Sequence, residues 1–117
     1  MNTYSVTIHV PGTLAADKSI VFTVPFNCQL IHVSACGSPA AHDAIMTIGN
    51  TTTADAYLLA TTIGVSNVPT VFDRDNFVGT QFPHIAAGTV MAVALDFNGD
   101  AGTAIANWTC ILTFALG

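Results

Sequence analysis

Between Ile20 and Phe26 the chain alternates strictly: Ile20, Phe22, Val24 and Phe26 fall on one side, Val21, Thr23 and Pro25 on the other. A period of two over seven residues, rich in β-branched and aromatic types, is the pattern of a half-buried β-strand. Pro25 has no amide hydrogen for a sheet ladder, which puts it at the strand's end or on an edge. Asn27 and Cys28 supply a tight reversal or corner, and Leu30 to Ala35 resumes as a second strand. This pair is expected to form the centre against which the rest of the chain is laid.

The same signal recurs along the sequence. Thr3 to Val10 sets Tyr4, Val6, Ile8 and Val10 against Thr3, Ser5, Thr7 and His9, a strand with one apolar and one hydroxyl-rich face, broken by Pro11-Gly12-Thr13. Gly37-Ser38-Pro39 is a turn, and Ala44 to Gly49 a short strand closed by the polar run Asn50 to Thr53. Residues 54–65 read as a strand or an irregular crossover. Val68 to Phe72 and Thr80 to Ile85 read as brief strands, separated by the polar loop Asp73 to Asn76.

Val90 to Phe97 is apolar on both faces, as expected of a strand buried on both sides or placed at a subunit interface. Asn98 to Gly102 tolerates positive φ and suits a hairpin loop, after which Ala104 to Leu116 alternates through Trp108, Cys110, Leu112 and Phe114. About eight short strands with turns between them and no long helical period predict an all-β chain. The expected architecture is a single-domain antiparallel β-sandwich over residues 1–117, jelly-roll-like.

Charge is where this sequence departs from ordinary globular proteins. Only 8% of its residues are charged, against about 25% in a typical domain. Glutamate is absent, Lys18 and Arg74 are the only certain cations, and the net charge is −5. Phosphate binding needs several clustered cations, so nucleic acid and anionic membranes are not expected partners. The exposed surface must be covered by Thr, Ser, Asn and Ala or by other protein chains, which points to an oligomer or a component of an assembly. The start M-N-T-Y-S-V has neither the basic nor the apolar part of a secretion signal, so synthesis in a cytosol is expected.

The residues that could carry chemistry are few and scattered. His9, His32, His42 and His84 show no metal-ligand spacing. Asp96-x-Asn98-x-Asp100 resembles the start of a calcium loop, but Ala101 stands where that loop needs glycine and no glutamate can close it. Asp73 and Asp75 flank Arg74 as a solvated turn would, and Asp43 and Asp55 are isolated acid–base candidates. No serine sits in a nucleophile elbow, and no phosphate-binding glycine loop occurs. Asn50-Thr51-Thr52 and Asn107-Trp108-Thr109 match the glycosylation acceptor pattern, which has no meaning without secretion. Cys28, Cys36 and Cys110 are expected as free thiols packed as small hydrophobes, although a Cys28–Cys36 bridge is conceivable from sequence. Trp108 is expected in the core. No catalytic, cofactor-binding or metal-binding residue is assigned, and the chain is not expected to be an enzyme.

Three stretches carry a resemblance: F-T-V-P-F-N-C-Q-L-I-H-V-S-A (Phe22 to Ala35), D-A-I-M-T-I-G-N (Asp43 to Asn50), and A-A-G-T-V-M-A-V-A-L-D-F-N-G-D with A-N-W-T-C-I-L-T-F (Ala86 to Phe114). Through them the chain resembles the small jelly-roll decoration, or cement, proteins of tailed bacteriophage capsids. The resemblance implies a non-enzymatic virion protein on the capsid surface, made in the host cytoplasm. It would self-associate as a homotrimer, bind the major capsid protein and need no cofactor. With only Met1 to Thr3 ahead of the first strand, docking is expected through loops or a sheet edge. The alternative is a receptor- or glycan-binding head of a phage tail or fibre, since the fold hosts both roles.

Overall fold

The computed structural model describes residues 2–39 and 41–116. Among the described residues, nine strands build two antiparallel sheets: β1 (Thr3–Thr13), β2 (Lys18–Thr23), β3 (Cys28–Ser38), β4 (Ile45–Asn50), β5 (Leu58–Thr62), β6 (Thr70–Phe72), β7 (His84–Ile85), β8 (Val90–Asp96) and β9 (Ala106–Leu116). One sheet has the order β1-β9-β3-β6, with β7 also beside β3; the other has the order β2-β8-β4-β5.

The pairing is nested. β1 pairs β9, β2 pairs β8, β3 pairs both β6 and β7, and β4 pairs β5. That is one long two-stranded ribbon with its tip at the β4–β5 turn. Rolling the ribbon up adds the contacts β3–β9 and β4–β8 and closes the jelly roll. β6 and β7 share the one position beside β3, so the nine strands fill the eight places expected of this architecture.

The sequence periodicity is reproduced in the core. Val6, Ile8 and Val10 of β1, and Trp108, Cys110, Leu112 and Phe114 of β9, point between the sheets. They meet Met46 and Ile48 of β4 and Met91, Val93 and Leu95 of β8. Burying a side chain of this size contributes about 1.5–3 kcal/mol. Trp108 is fully buried, as its strand position implies.

Two expected strand pairs are not pairs. Ile20–Phe26 and Leu30–Ala35 lie in opposite sheets, and Asn27 marks the corner between them. β8 and β9 are likewise not a hairpin. The loop with positive φ at Gly99, Asp100 and Ala101 carries the chain from one sheet to the other. Turn residues reverse direction equally well in a hairpin and in an arch, and strand pairing here is decided by partners far along the chain.

Smaller departures have local causes. Pro11-Gly12 does not end β1: Gly12 at φ +81° absorbs a bulge between Val10 and Thr13, and pairing resumes at Thr13 with Ala106. Residues 54–65 contain a turn and then β5. Of Thr80 to Ile85 only His84–Ile85 is strand, because Gly79 and Thr80 both take positive φ. Phe26, expected inward, is exposed beyond the strand's end and meets the Tyr4 ring edge-on with centroids 6.4 Å apart.

Candidate interaction face

The residues singled out for chemistry do not converge. Among the described residues, no three His, Cys or Asp side chains stand close enough to share a metal ion. His9, His32 and His84 are exposed on the outer side of the five-stranded sheet, whereas His42 is buried and hydrogen-bonded to backbone. Asp96 Oδ1 accepts the Asn98 and Gly99 amides, so the calcium-like spacing builds a turn instead. Asp73 Oδ1 accepts from the Asp75 amide and Asn76 Oδ1 from the Asp73 amide, while Arg74 and Asp75 form a loose exposed pair at 3.9 Å. Asp43 Oδ2 takes the Thr103 amide and anchors the β8–β9 connection.

The cysteines are free. Cys28 and Cys36 sit eight residues apart on one extended strand, about 26 Å at ~3.3 Å per residue, so a bridge between them is impossible. Burial pushes the Cys110 thiol up to about 12, with Cys36 nearby adding to the effect. Burial also raises Cys28, which opposes thiolate reactivity. Beside it, burial and the neighbouring Cys28 push the Tyr4 phenol up to about 12. The Tyr4 hydroxyl is enclosed and has no partner of good hydrogen-bond geometry, while its ring stacks on Phe114 with centroids 5.1 Å apart.

What the fold does assemble is a surface. Thr3, Ser5, Thr7 and His9 face outward from β1, and Thr109, Ile111, Thr113 and Ala115 from β9. Gln29, His32, Ser34 and Cys36 face outward from β3. The register aligns them in ranks across the sheet: Ser5 with Thr113 and His32, Thr7 with Ile111 and Ser34, His9 with Thr109 and Cys36. Val71 on β6 extends the middle rank, and His84 on β7 stands beside Gln29.

Some of the polar groups on this face already satisfy one another. His9 Nδ1 and Thr109 Oγ1 are 2.8 Å apart, Ser5 Oγ and Thr113 Oγ1 3.3 Å, and the Asn107 amide donates to Ser38 Oγ at 3.3 Å. None of the chain's nine charged residues lies on it. Lys18 and Asp96 belong to the four-stranded sheet, and the other seven are in connections. The face ends at β6, where Val71 is exposed, and Val65 and Val68 are exposed in the connection that leads into it. The hydroxyl-rich half of Thr3–His9 is legible in the sequence, but the face is not. The missing signal was strand order, which brings β3 alongside β9.

The sequence matches no protein-family model and no curated protein. By structure the chain is similar to a chain of the "Cyanophage Pam1 capsid asymmetric unit", with a TM-score of 0.61 at 14% sequence identity. The match covers 99% of this chain and 84% of that one. At such low identity the likeness concerns the fold, one whole small sandwich superposed on nearly all of another.

Proposed function

We propose that this protein is a non-enzymatic structural protein of a bacteriophage virion that decorates and cements the capsid as a symmetric oligomer, a homotrimer. The observation that carries the reading is the whole-chain likeness to a chain of a phage capsid asymmetric unit. It fits a subunit whose conspicuous feature is uncharged surface with no convergent chemistry. A cement subunit acts through many copies on a symmetric lattice, so modest contacts add up by multivalency. It needs no cofactor, no nucleic-acid contact and no membrane. The shell protein is its partner on the particle, and the host cytoplasm is where it is made.

A glycan-binding head is the less favoured reading. Sugar platforms use exposed aromatic rings, whereas Trp108 is fully buried, Tyr4 is stacked inside against Phe114, and the exposed Phe26 ring is engaged edge-on with Tyr4. The test is the composition of purified particles of the phage that encodes this chain, with their survival on heating when the gene is removed. Many copies per particle and earlier heat-induced DNA release without it are expected. Absence from particles, or presence only at the tail, would overturn the proposal.

A further inference from the structure

We infer that the outer face of the five-stranded sheet is where one copy of this chain meets another. This rests on the symmetric-oligomer reading above and names the surface that would form the contact: around a three-fold axis each copy turns this face toward the axis and meets both neighbours through it.

Electrostatics selects the face. Each copy carries a net charge of −5, so two copies repel unless they meet where charges are absent. The outer side of β1, β9, β3, β6 and β7 is such a place, with Asp73, Arg74 and Asp75 just past its β6 rim. A basic partner would find no carboxylate there, and an acidic one no lysine or arginine, only the imidazoles of His9, His32 and His84. A second copy needs no counter-charge.

Size agrees. β1, β9 and β3 are 11 residues each, about 36 Å long at ~3.3 Å per residue, and four strand positions at about 4.8 Å span roughly 19 Å. With only the three residues of β6 and two of β7 at the fourth position, the projected surface is roughly 600 Å², of the order of the ~800 Å² that one partner contributes to a stable interface. The longest dimension of the molecule, 39 Å, accommodates that length.

The chemistry also suits burial. Desolvating hydroxyls and imidazoles costs free energy unless they are paired. Here the cross-strand pairs Ser5–Thr113 and His9–Thr109 exist before any partner arrives. Ile111, 37% exposed, stands at the centre, and Val71, 52% exposed, at the β6 side. They supply apolar contact within a hydroxyl field.

The experiment is the solution mass of the full chain, by light scattering over a dilution series, for the wild type, Ile111→Asp and Val21→Asp. Val21 is exposed on the outer side of the other sheet. Burying an unpaired carboxylate at the contact should weaken association roughly 100-fold or more, while Val21→Asp keeps the wild-type mass. Association should also hold or strengthen from about 0.1 to about 1 M salt, as the Debye length falls from about 10 to about 3 Å. Should Ile111→Asp fail to fold by circular dichroism, Thr7→Lys, fully on the exposed side of β1, takes its place. An oligomer indifferent to both substitutions, or one that salt dissociates, overturns the assignment and leaves the oligomer reading intact. A wild type that stays monomeric at every concentration overturns both, and particle composition then judges the capsid role separately.

Discussion

His42 Nε2 donates to the Gly64 carbonyl oxygen across 2.7 Å, tying the β3–β4 connection to the chain just beyond β5. The proton is placed by the ring's other side, where the Ala44 amide can only donate and does so to Nδ1 at 3.2 Å. The neutral tautomer protonated on Nε2 satisfies both groups at a buried position. Gly64 in turn bridges to β3, giving its amide to Ala35 and accepting from Gly37. One imidazole thus supports the place where the two sheets exchange chain. His42→Ala strands the Ala44 amide and removes one of two donors from the Gly64 oxygen. The expected cost is about 2 kcal/mol, a fall of roughly 8 °C in melting temperature. A melt within a degree or two of wild type would mean that solvent replaces both bonds.

Gly64 itself tolerates no side chain. A Cβ there would collide with the carbonyl oxygen of Val68, and one at Gly49 with the carbonyls of Thr53 and Ala54. Backbone cannot step aside as a flexible side chain can. Gly64→Ala and Gly49→Ala should each cost about 3 kcal/mol or more. Gly88, at φ +83° with open space around it, supplies the comparison. Gly88→Ala meets only conformational strain, about 1 kcal/mol. Urea midpoints of Gly64→Ala and Gly49→Ala should both fall well below that of Gly88→Ala, and equal losses in all three would show that the backbone around Gly49 and Gly64 gives way to a methyl group.

The alternation that made β1, β2 and β9 readable is enforced residue by residue: slipping one position would turn Trp108 and Leu112 to solvent. Sheet membership is not local in this sense. Asn27 and the run Asn98–Gly102 announce reversals, yet both mark passages between sheets, because β2 finds β8 and β9 finds β1 and β3. The candidate face shows the same limit. Its hydroxyls stand in plain view at Thr3 to Thr7 and at Thr109 and Thr113, but His32 and Ser34 join them only through the β3–β9 register. His42 was one of four scattered histidines in the sequence. Its buried role depends on Gly64, twenty-two residues away.

Trp108 is fully buried, and its indole Nε1 has no hydrogen-bond partner in the protein. Trp108→Ala should cost about 3–5 kcal/mol through lost burial and the cavity left behind. Trp108→Phe keeps much of the apolar contact and removes an unpaired donor whose burial costs about 1–3 kcal/mol. The two effects oppose each other, so a net loss near 1 kcal/mol is expected from urea melts followed by circular dichroism. A Phe variant as weak as the Ala variant would indicate that a trapped water satisfies the indole.

Cys110 is fully buried, and burial, aided by Cys36, raises its thiol from 9.0 to about 12. Below 9.0 both folded and unfolded chains hold the proton, so the stabilisation of the neutral thiol is fully present. Above that value the unfolded chain releases it and the folded chain does not. Stability therefore falls as pH rises, by about 1.4 kcal/mol per unit for one such group, until the folded thiol also ionises. Cys28 acts in the same direction, and Tyr4 joins above its ordinary 10.0. Cys110→Ala should cost some stability at neutral pH through its small cavity, but it should also flatten the decline between pH 9.0 and 10.0, before the phenol contributes. Urea midpoints of wild type and variant at those two values decide it. Parallel declines would mean that the thiol ionises in the folded chain as readily as in the unfolded one, and that its pocket admits water.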